Sequence, residues 1–569
     1  MNPPRTLLST LFTTTTNNSL MPAPDADDNM AMTPPSTLDL FILTFNCAKN
    51  LINVPVFSAH LQAALTRNAE SLPDLVAFSL QEVSPLSYAF IGSYFLNSYY
   101  SKYEEALNLA SVNILETTAT SQYDVRPQQQ QTKKPYTLVR AKNVGMTAIL
   151  LFARDLASVR RIEEAECGFG AAEMGNKGAV GLRVSWAPAA GAGGEETEVT
   201  VVATHLAAME WNLKKRNANW RSIMSSLTFA NPKELLPGVF PADNAPPSPD
   251  HSGVGDKFGP PSASQQQAYS SEDTSEADDE EDGTSSSEHP LLLRSSQGSS
   301  STSLAPEHHA TLRDASVFKP SSHLFVAGDL NYRISSSTPP PLAPFPSFDA
   351  SSPDYYTKFL CRDQLMQERL AGRTFHGMSE PPVAFGPTYK YNVLSDAEGA
   401  ANEAAVRAGV KQNGIPEVPW KFAAHRWPGW CDRVLFLDLP RALKRQGSGG
   451  KGGRVEIEVQ AYDAMPVVRT SDHRAVFLRV KVPVLGAEAM RRGLQLEEGD
   501  GDDGDVARDP RASPPLPVDV HAWERRAAAR RKEIMVGWTA LLWSTQEGAL
   551  FMATMLVLTV GSWWLWRVW

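Results

Sequence analysis

Cysteine is scarce in this chain, and the few residues present stand far apart. Cys47, Cys167, Cys361 and Cys431 make no Cys-x-x-Cys pair, which argues against a disulfide scaffold or a structural zinc site and suits a reducing compartment. The net positive charge of a general nucleic-acid binder is also missing, with a formal charge of −10. That acidity sits in two runs, Ser271 to Asp282 and Glu497 to Asp505, without which the chain is no longer acidic. No secretory signal is evident: the apolar patch Leu7 to Phe12 is short and passes into Thr-rich sequence. Long hydrophobic runs are absent from everything but the C-terminal end.

What is there begins after residues 1–37, whose Thr, Asn, Pro and Asp content predicts a disordered leader. Leu38 to Phe45 is an apolar strand ending in Asn46, residues 57–70 have amphipathic-helix spacing, and Pro73 to Leu80 is a second strand ending in Gln81 and Glu82. Strand, helix and strand imply a crossover between parallel strands and an α/β protein. Further strands are expected at Val144 to Phe152, after the Gly175-Asn176-Lys177-Gly178 turn, and at Glu198 to Leu206. Residues 231–320 are dominated by Pro, Ser, Asp and Glu without periodicity. They read as a disordered insertion in a surface loop, a cheap feature because closure entropy grows only logarithmically with length. His323 to Arg333 is then an apolar run broken by Gly328-Asp329-Leu330-Asn331. Residues 484–523 turn to Pro, Asp and Gly and read as a linker.

Asn46, Glu82, His205, Asp329 with Asn331, and Asp472 with His473 all fall at predicted strand edges. Any one of them has a plain explanation as a turn former or a structural histidine. Seven such residues on five edges are not well explained by capping alone. If the edges converge on one face, the set suits phosphate-ester hydrolysis assisted by a hard cation, with oxygen ligands and no thiolate favouring Mg²⁺ over Zn²⁺.

The order of the motifs TFN, LQE, GNKGAV, THLAA, GDLNYR, PTYKY, WCDR and SDH resembles that of the inositol polyphosphate 5-phosphatases of the endonuclease/exonuclease/phosphatase superfamily, over residues 38–483 apart from the insertion. The resemblance implies a two-sheet β-sandwich flanked by helices, the four-layer DNase I-like fold. It implies Mg²⁺ at Glu82 with Asn46 nearby, and Asp329 orienting and deprotonating the attacking water. Asn331, His205 and His473 would donate to phosphoryl oxygens, with His473 held by Asp472. Tyr389, Lys390 and Arg433, joined by Asn176 and Lys177, would bind the substrate phosphates. No covalent phospho-enzyme is expected, since no Cys-x5-Arg loop occurs. Arg333 is expected only to brace its loop. TFN stands where the family more often shows TWN, and the segment before WCDR is less basic than usual; both bear on substrate preference.

Ala549 to Trp566 is an uncharged apolar run of 18 residues, which with its flanks reaches roughly 30 Å at ~1.5 Å rise per residue. Trp563, Trp564, Trp566 and Trp569 mark one end of it. Arg525, Arg526, Arg530, Arg531 and Lys532 lie on the other, the cytosolic side by the positive-inside tendency. Residues 524–548 are therefore expected as a basic juxtamembrane and interfacial segment, and 549–569 as a tail anchor. The layout resembles that of fungal tail-anchored 5-phosphatases of the endoplasmic reticulum. It implies a membrane-bound enzyme with a cytosolic catalytic domain, a phosphoinositide lipid such as phosphatidylinositol 4,5-bisphosphate as substrate, and no nucleic-acid partner. The rival readings are another phosphodiesterase of the superfamily, nuclease or sphingomyelinase-like, and a catalytically silent membrane scaffold.

Overall fold

The computed structural model describes residues 36–120, 134–188, 195–240, 304–394, 418–446, 455–499, 508–544 and 546–569. The expected leader, except its last two residues, and residues 241–303 of the expected insertion lie outside them. The flanks of the insertion are ordered, with short helices at Pro232–Leu235 and Pro306–Ala315.

Two six-stranded sheets face each other. The first contains β1 (Thr37–Asn46), β2 (Leu75–Gln81), β3 (Thr137–Val144), β4 (Thr147–Ala153), β13 (Glu458–Ala464) and β14 (Val476–Pro483), in the order β13-β14-β1-β2-β4-β3. The second contains β5 (Val159–Gly168), β6 (Gly178–Trp186), β7 (Thr197–His205), β8 (Ser322–Asp329), β9 (Met378–Ser379) and β12 (Asp432–Leu437), in the order β5-β6-β7-β8-β12-β9. A small hairpin pairs β10 (Tyr391–Val393) with β11 (Trp420–Phe422). As expected from the crossover pattern, β1 and β2 run parallel, as do β7 and β8.

The period of two along each strand sorts its side chains between layers. In β1, Leu38, Leu40 and Ile42 enter the core between the sheets, whereas Phe41, Leu43 and Phe45 pack outward with α1 (Val54–Leu65) and α3 (Ser93–Thr120). In β8, Phe325 and Ala327 face inward, while Leu324 and Val326 meet α4 (Leu213–Ser226) through Trp220, Ile223 and Met224. Helix, sheet, sheet, helix is the four-layer DNase I-like arrangement. Both faces of the central strands are buried, so β1, β2, β4 and β8 read as nearly continuous apolar runs.

Of the linker expected at 484–523, the described residues 484–499 and 508–523 include regular structure. Ala487–Gly499 is a helix, here α6 after α5 (Pro306–Ala315), with Met490 in the inter-sheet core. Beyond it, Arg511 is fully buried and hydrogen bonds Asp509 and the Asp438 carbonyl. Low apolar content gave no sign of this, since a buried arginine helps to tie the segment down. Two long helices follow, α7 (Ala522–Ser544) and α8 (Gln546–Val568). Within α8, Gly548–Val568 is 21 residues long, apolar and almost wholly exposed, which fits a transmembrane anchor.

Candidate active site

Strand register builds the site. His205 lies opposite Asp329 across the parallel β7–β8 pair, and Asp432 lies opposite Asp329 across the antiparallel β8–β12 pair. Each continues an inward-facing row, so all three project between the sheets at one edge. From the other sheet, Asn46 ends the inward row of β1, and His473 sits just before β14, which pairs with β1. The four strands β1, β2, β7 and β8 end at this edge, where open α/β sheets characteristically present functional side chains.

The side chains converge on Asp329. Asn46 Nδ2 donates to Asp329 Oδ2 at 3.1 Å, and the Asn331 backbone N–H donates to Oδ1 at 3.0 Å. His205 Nε2 is 3.3 Å and His473 Nε2 4.0 Å from Asp329 Oδ2. Lys177 Nζ lies 2.7 Å from the same His205 Nε2. Burial opposes ionisation of Asp329, but His205, His473 and Lys177 hold its carboxyl well below the usual range. Burial and the charge of Lys177 depress His205, so it is neutral. Burial also depresses Lys177, against the charges of Glu82 and Asp329. His473 goes the other way. Burial alone would lower it, but Asp432, Asp329 and Asp472 raise it to about 9, making it an imidazolium at neutral pH.

His473 is held by Asp432 rather than Asp472, contrary to expectation. His473 Nδ1 lies 2.8 Å from Asp432 Oδ2, which also accepts from Thr388 Oγ1 at 2.7 Å. Asp472 instead pairs with Lys390 at 3.3 Å. Adjacent residues in an extended segment point apart, so sequence neighbours make poor partners. Asp432 and Thr388 are thus site residues that sequence reasoning passed over, although WCDR and PTYKY contain them.

Arg433 is also placed differently. It faces the opposite side of β12 from Asp432, buried among Asp363 at 2.9 Å and Glu380 at 2.6 and 2.7 Å. With its guanidinium so engaged, it belongs to the wall behind the site and not to the phosphate surface. Asn331 is buried with φ of 57°, its amide donating to the Leu206 carbonyl at 3.1 Å and accepting from Arg333 at 2.6 Å. Arg333 braces that loop as expected, and stacks 4.5 Å from the Tyr389 ring. Tyr389 in turn packs on His473 with centroids 4.6 Å apart. Lys390 lies beside the same ring at 5.7 Å. Glu82 is half-buried at φ of 46°, one residue beyond β2. Asn176 is exposed on the turn after β5, its side chain folded over Gly170, where a Cβ would meet Asn176 Oδ1 at 1.8 Å.

A family model described as Endonuclease/Exonuclease/phosphatase family 2 matches residues 43–479. The chain belongs to this family. Among curated proteins, this family member is similar to the type IV inositol polyphosphate 5-phosphatase 3 of Arabidopsis thaliana, 33% identical over 178 residues, 31% of this chain and 21% of that protein. It is also similar to the phosphatidylinositol 3,4,5-trisphosphate 5-phosphatase 1 of Mus musculus, 28% identical over 178 residues, 30% of this chain and 12% of that one. The matched segment thus spans 21% and 12% of these relatives' own length. Among solved structures, the inositol polyphosphate 5-phosphatase domain of SPsynaptojanin, determined with inositol (1,4)-bisphosphate and calcium ion, has a TM-score of 0.44 at 17% identity, covering 82% of this chain and 94% of that one.

Proposed function

We propose that this chain is a phosphoinositide 5-phosphatase that removes the 5-phosphate of phosphatidylinositol 4,5-bisphosphate by direct attack of water, at the cytosolic face of the endoplasmic-reticulum membrane. The observation that carries the reading is the convergence of Asp329, His205, Lys177, Asn46 and His473 at one sheet edge. Likeness to inositol 5-phosphatases supports the substrate class, and the exposed apolar helix α8 supports a lipid substrate.

The donor chemistry fits a hard divalent cation. Asp329 and Asp432 bring carboxylate oxygens to the same edge, and Asp432 Oδ1 is buried with no hydrogen-bond partner. Glu82 adds a half-buried carboxylate beside Asn46. Glu82, with Asn46, would hold Mg²⁺, which when bound neutralises phosphate charge and polarises the ester oxygen. The protein's own groups do the rest. Asp329, fixed by Asn46 and the Asn331 amide, orients the attacking water. Its depressed basicity suits a loose phosphoryl transition state, in which little proton transfer is needed early. The imidazolium of His473 stabilises charge on the phosphoryl oxygens, and the ammonium of Lys177 binds the substrate phosphate. Asn331 keeps one amide hydrogen for the same purpose. Lys390 and Tyr389 at the rim meet a neighbouring phosphate.

Phosphate release by the full-length protein from vesicles of each phosphoinositide, with Mg²⁺ and with excess EDTA, tests this. Release from the 4,5-bisphosphate that EDTA abolishes is expected. Equal release in EDTA would end the metal assignment, and no release from any 5-phosphorylated lipid would end the substrate assignment.

A further inference from the structure

The helix that leads to the anchor is bolted to the loops of the site. Helix α7 buries Ala522, Arg526, Ala529, Glu533 and Gly537, a spacing that puts all five on one face. Glu533 is completely buried, and its Oε1 accepts from the Gly175 backbone N–H at 2.7 Å. Gly175 opens the turn that carries Asn176 and Lys177. Arg526 forks onto the same carboxylate at 2.5 and 2.8 Å and reaches Glu166 on β5 at 3.3 Å. Although burial opposes it, Arg526 and the Gly175 amide keep Glu533 ionised.

The other side of the turn is equally confined. Gly145, at φ of 50°, comes so close that a Cβ there would meet the Gly175 carbonyl oxygen at 1.7 Å. The turn is therefore wedged between the β3–β4 hairpin and Glu533. Further along α7, Arg530 donates to the carbonyls of Phe90 and Ile91 at 2.7 and 3.2 Å, closing the C-terminal end of α2 (Leu86–Ile91). Gly537 lies against the same end, where a Cβ would come 2.9 Å from Phe90 Cβ. The segment that leaves Glu82 and the segment that carries Lys177 thus share one brace.

We propose that Glu533 is a positioning residue for the substrate turn. Through the Gly175 amide it fixes Lys177 against His205, so that the juxtamembrane helix and the phosphate-binding turn move as one body. A charge-assisted hydrogen bond in a dry contact is stiff and directional, and its loss frees a turn whose lysine must meet an anion. This inference rests on the role given to Lys177 above.

The test uses the full-length protein in detergent micelles with a short-chain, water-soluble phosphatidylinositol 4,5-bisphosphate, so that membrane recruitment plays no part. Glu533→Ala is expected to raise KM about 10-fold and to change kcat less than about 3-fold. Glu533→Gln keeps an acceptor for the Gly175 amide and is expected to restore most of the loss. Met490→Ala, a core change at the far end of the sandwich, is expected to lower Tm and leave KM unchanged. A folded Glu533→Ala protein with wild-type KM would overturn the proposal, as would a glutamine variant no better than alanine. Hydrogen exchange on the wild type provides a readout that needs no variant: strong protection of the Gly175 amide is expected, and rapid exchange there would overturn the clamp. If the wild type releases no phosphate, the enzymatic reading fails, while Gly175 protection still decides whether the clamp exists.

Discussion

Asp432 and Arg433 are consecutive, both fully ionisable and both buried, yet they belong to different parts of the molecule. Arg433 looks outward from β12 into a closed cage, with Asp363 and both oxygens of Glu380 bonded to its guanidinium. Asp432 looks inward, pairs with His473 and keeps its Oδ1 without a partner. Arg369 joins the cage through Glu380 at 3.2 Å, so two cations face two carboxylates. The site carries two carboxylates and a histidine within 4.8 Å of one another, a concentration of charged groups at one edge that a substrate or cation would meet. Buried charge matched by opposite charge supports the fold, and buried carboxylates gathered at one open sheet edge are available for chemistry.

Substitutions can break that comparison. The largest effect is expected from Asp329→Asn, which keeps the size of the side chain but removes the charge proposed to orient the water. We expect kcat/KM to fall by about 10³ with a thermal unfolding curve close to wild type. A fall of less than tenfold would remove Asp329 from its assigned role. Arg433→Met should do the reverse. Removing one partner of a buried pair costs about 3–5 kcal/mol, visible in urea unfolding, while KM of the remaining folded enzyme stays near wild type. A large KM change in Arg433→Met at unchanged stability would instead return Arg433 to the substrate.

A smaller effect sharpens the inward half of the comparison. His473 is raised to about 9 by Asp432 first among the neighbouring charges. Because its folded pKa is raised, the cation is present at neutral pH and is lost as pH rises through about 9, so kcat/KM should decline along that limb. In Asp432→Asn the leading support is gone, and the limb should move down by one or more pH units, toward the usual histidine value of about 6.5. A pH profile of kcat/KM for both proteins reads the shift directly. An unmoved limb would mean that His473 carries no charge in the working enzyme.

Much of the site was visible at strand ends because an apolar run that stops in Asn46, Glu82, His205 or Asp329 announces both the strand and the exit. Direction was harder to read. With both faces of β12 buried, Val434, Leu435, Phe436 and Leu437 are all apolar, so alternation could not say that Asp432 faces the site and Arg433 faces away. Partner choice was invisible for a related reason. Asp472 is adjacent to His473 in the chain, but Asp432 reaches it through register across two strands. The polar face of α7 was likewise read as a membrane-surface feature, because a basic run beside an apolar helix has that meaning in isolation. Only the tertiary contact with Gly175 shows that Arg526 and Glu533 are turned inward.

The most direct test of the account is the identity of the product formed from phosphatidylinositol 4,5-bisphosphate in vesicles by the full-length wild-type protein with Mg²⁺. Chromatography of the deacylated headgroup separates the two monophosphates. The arrangement of Asp329, His205, Lys177 and His473 around one ester, with Tyr389 and Lys390 beside its neighbour, predicts phosphatidylinositol 4-phosphate with release of inorganic phosphate. Formation of phosphatidylinositol 5-phosphate, or of a diester cleavage product, would contradict it.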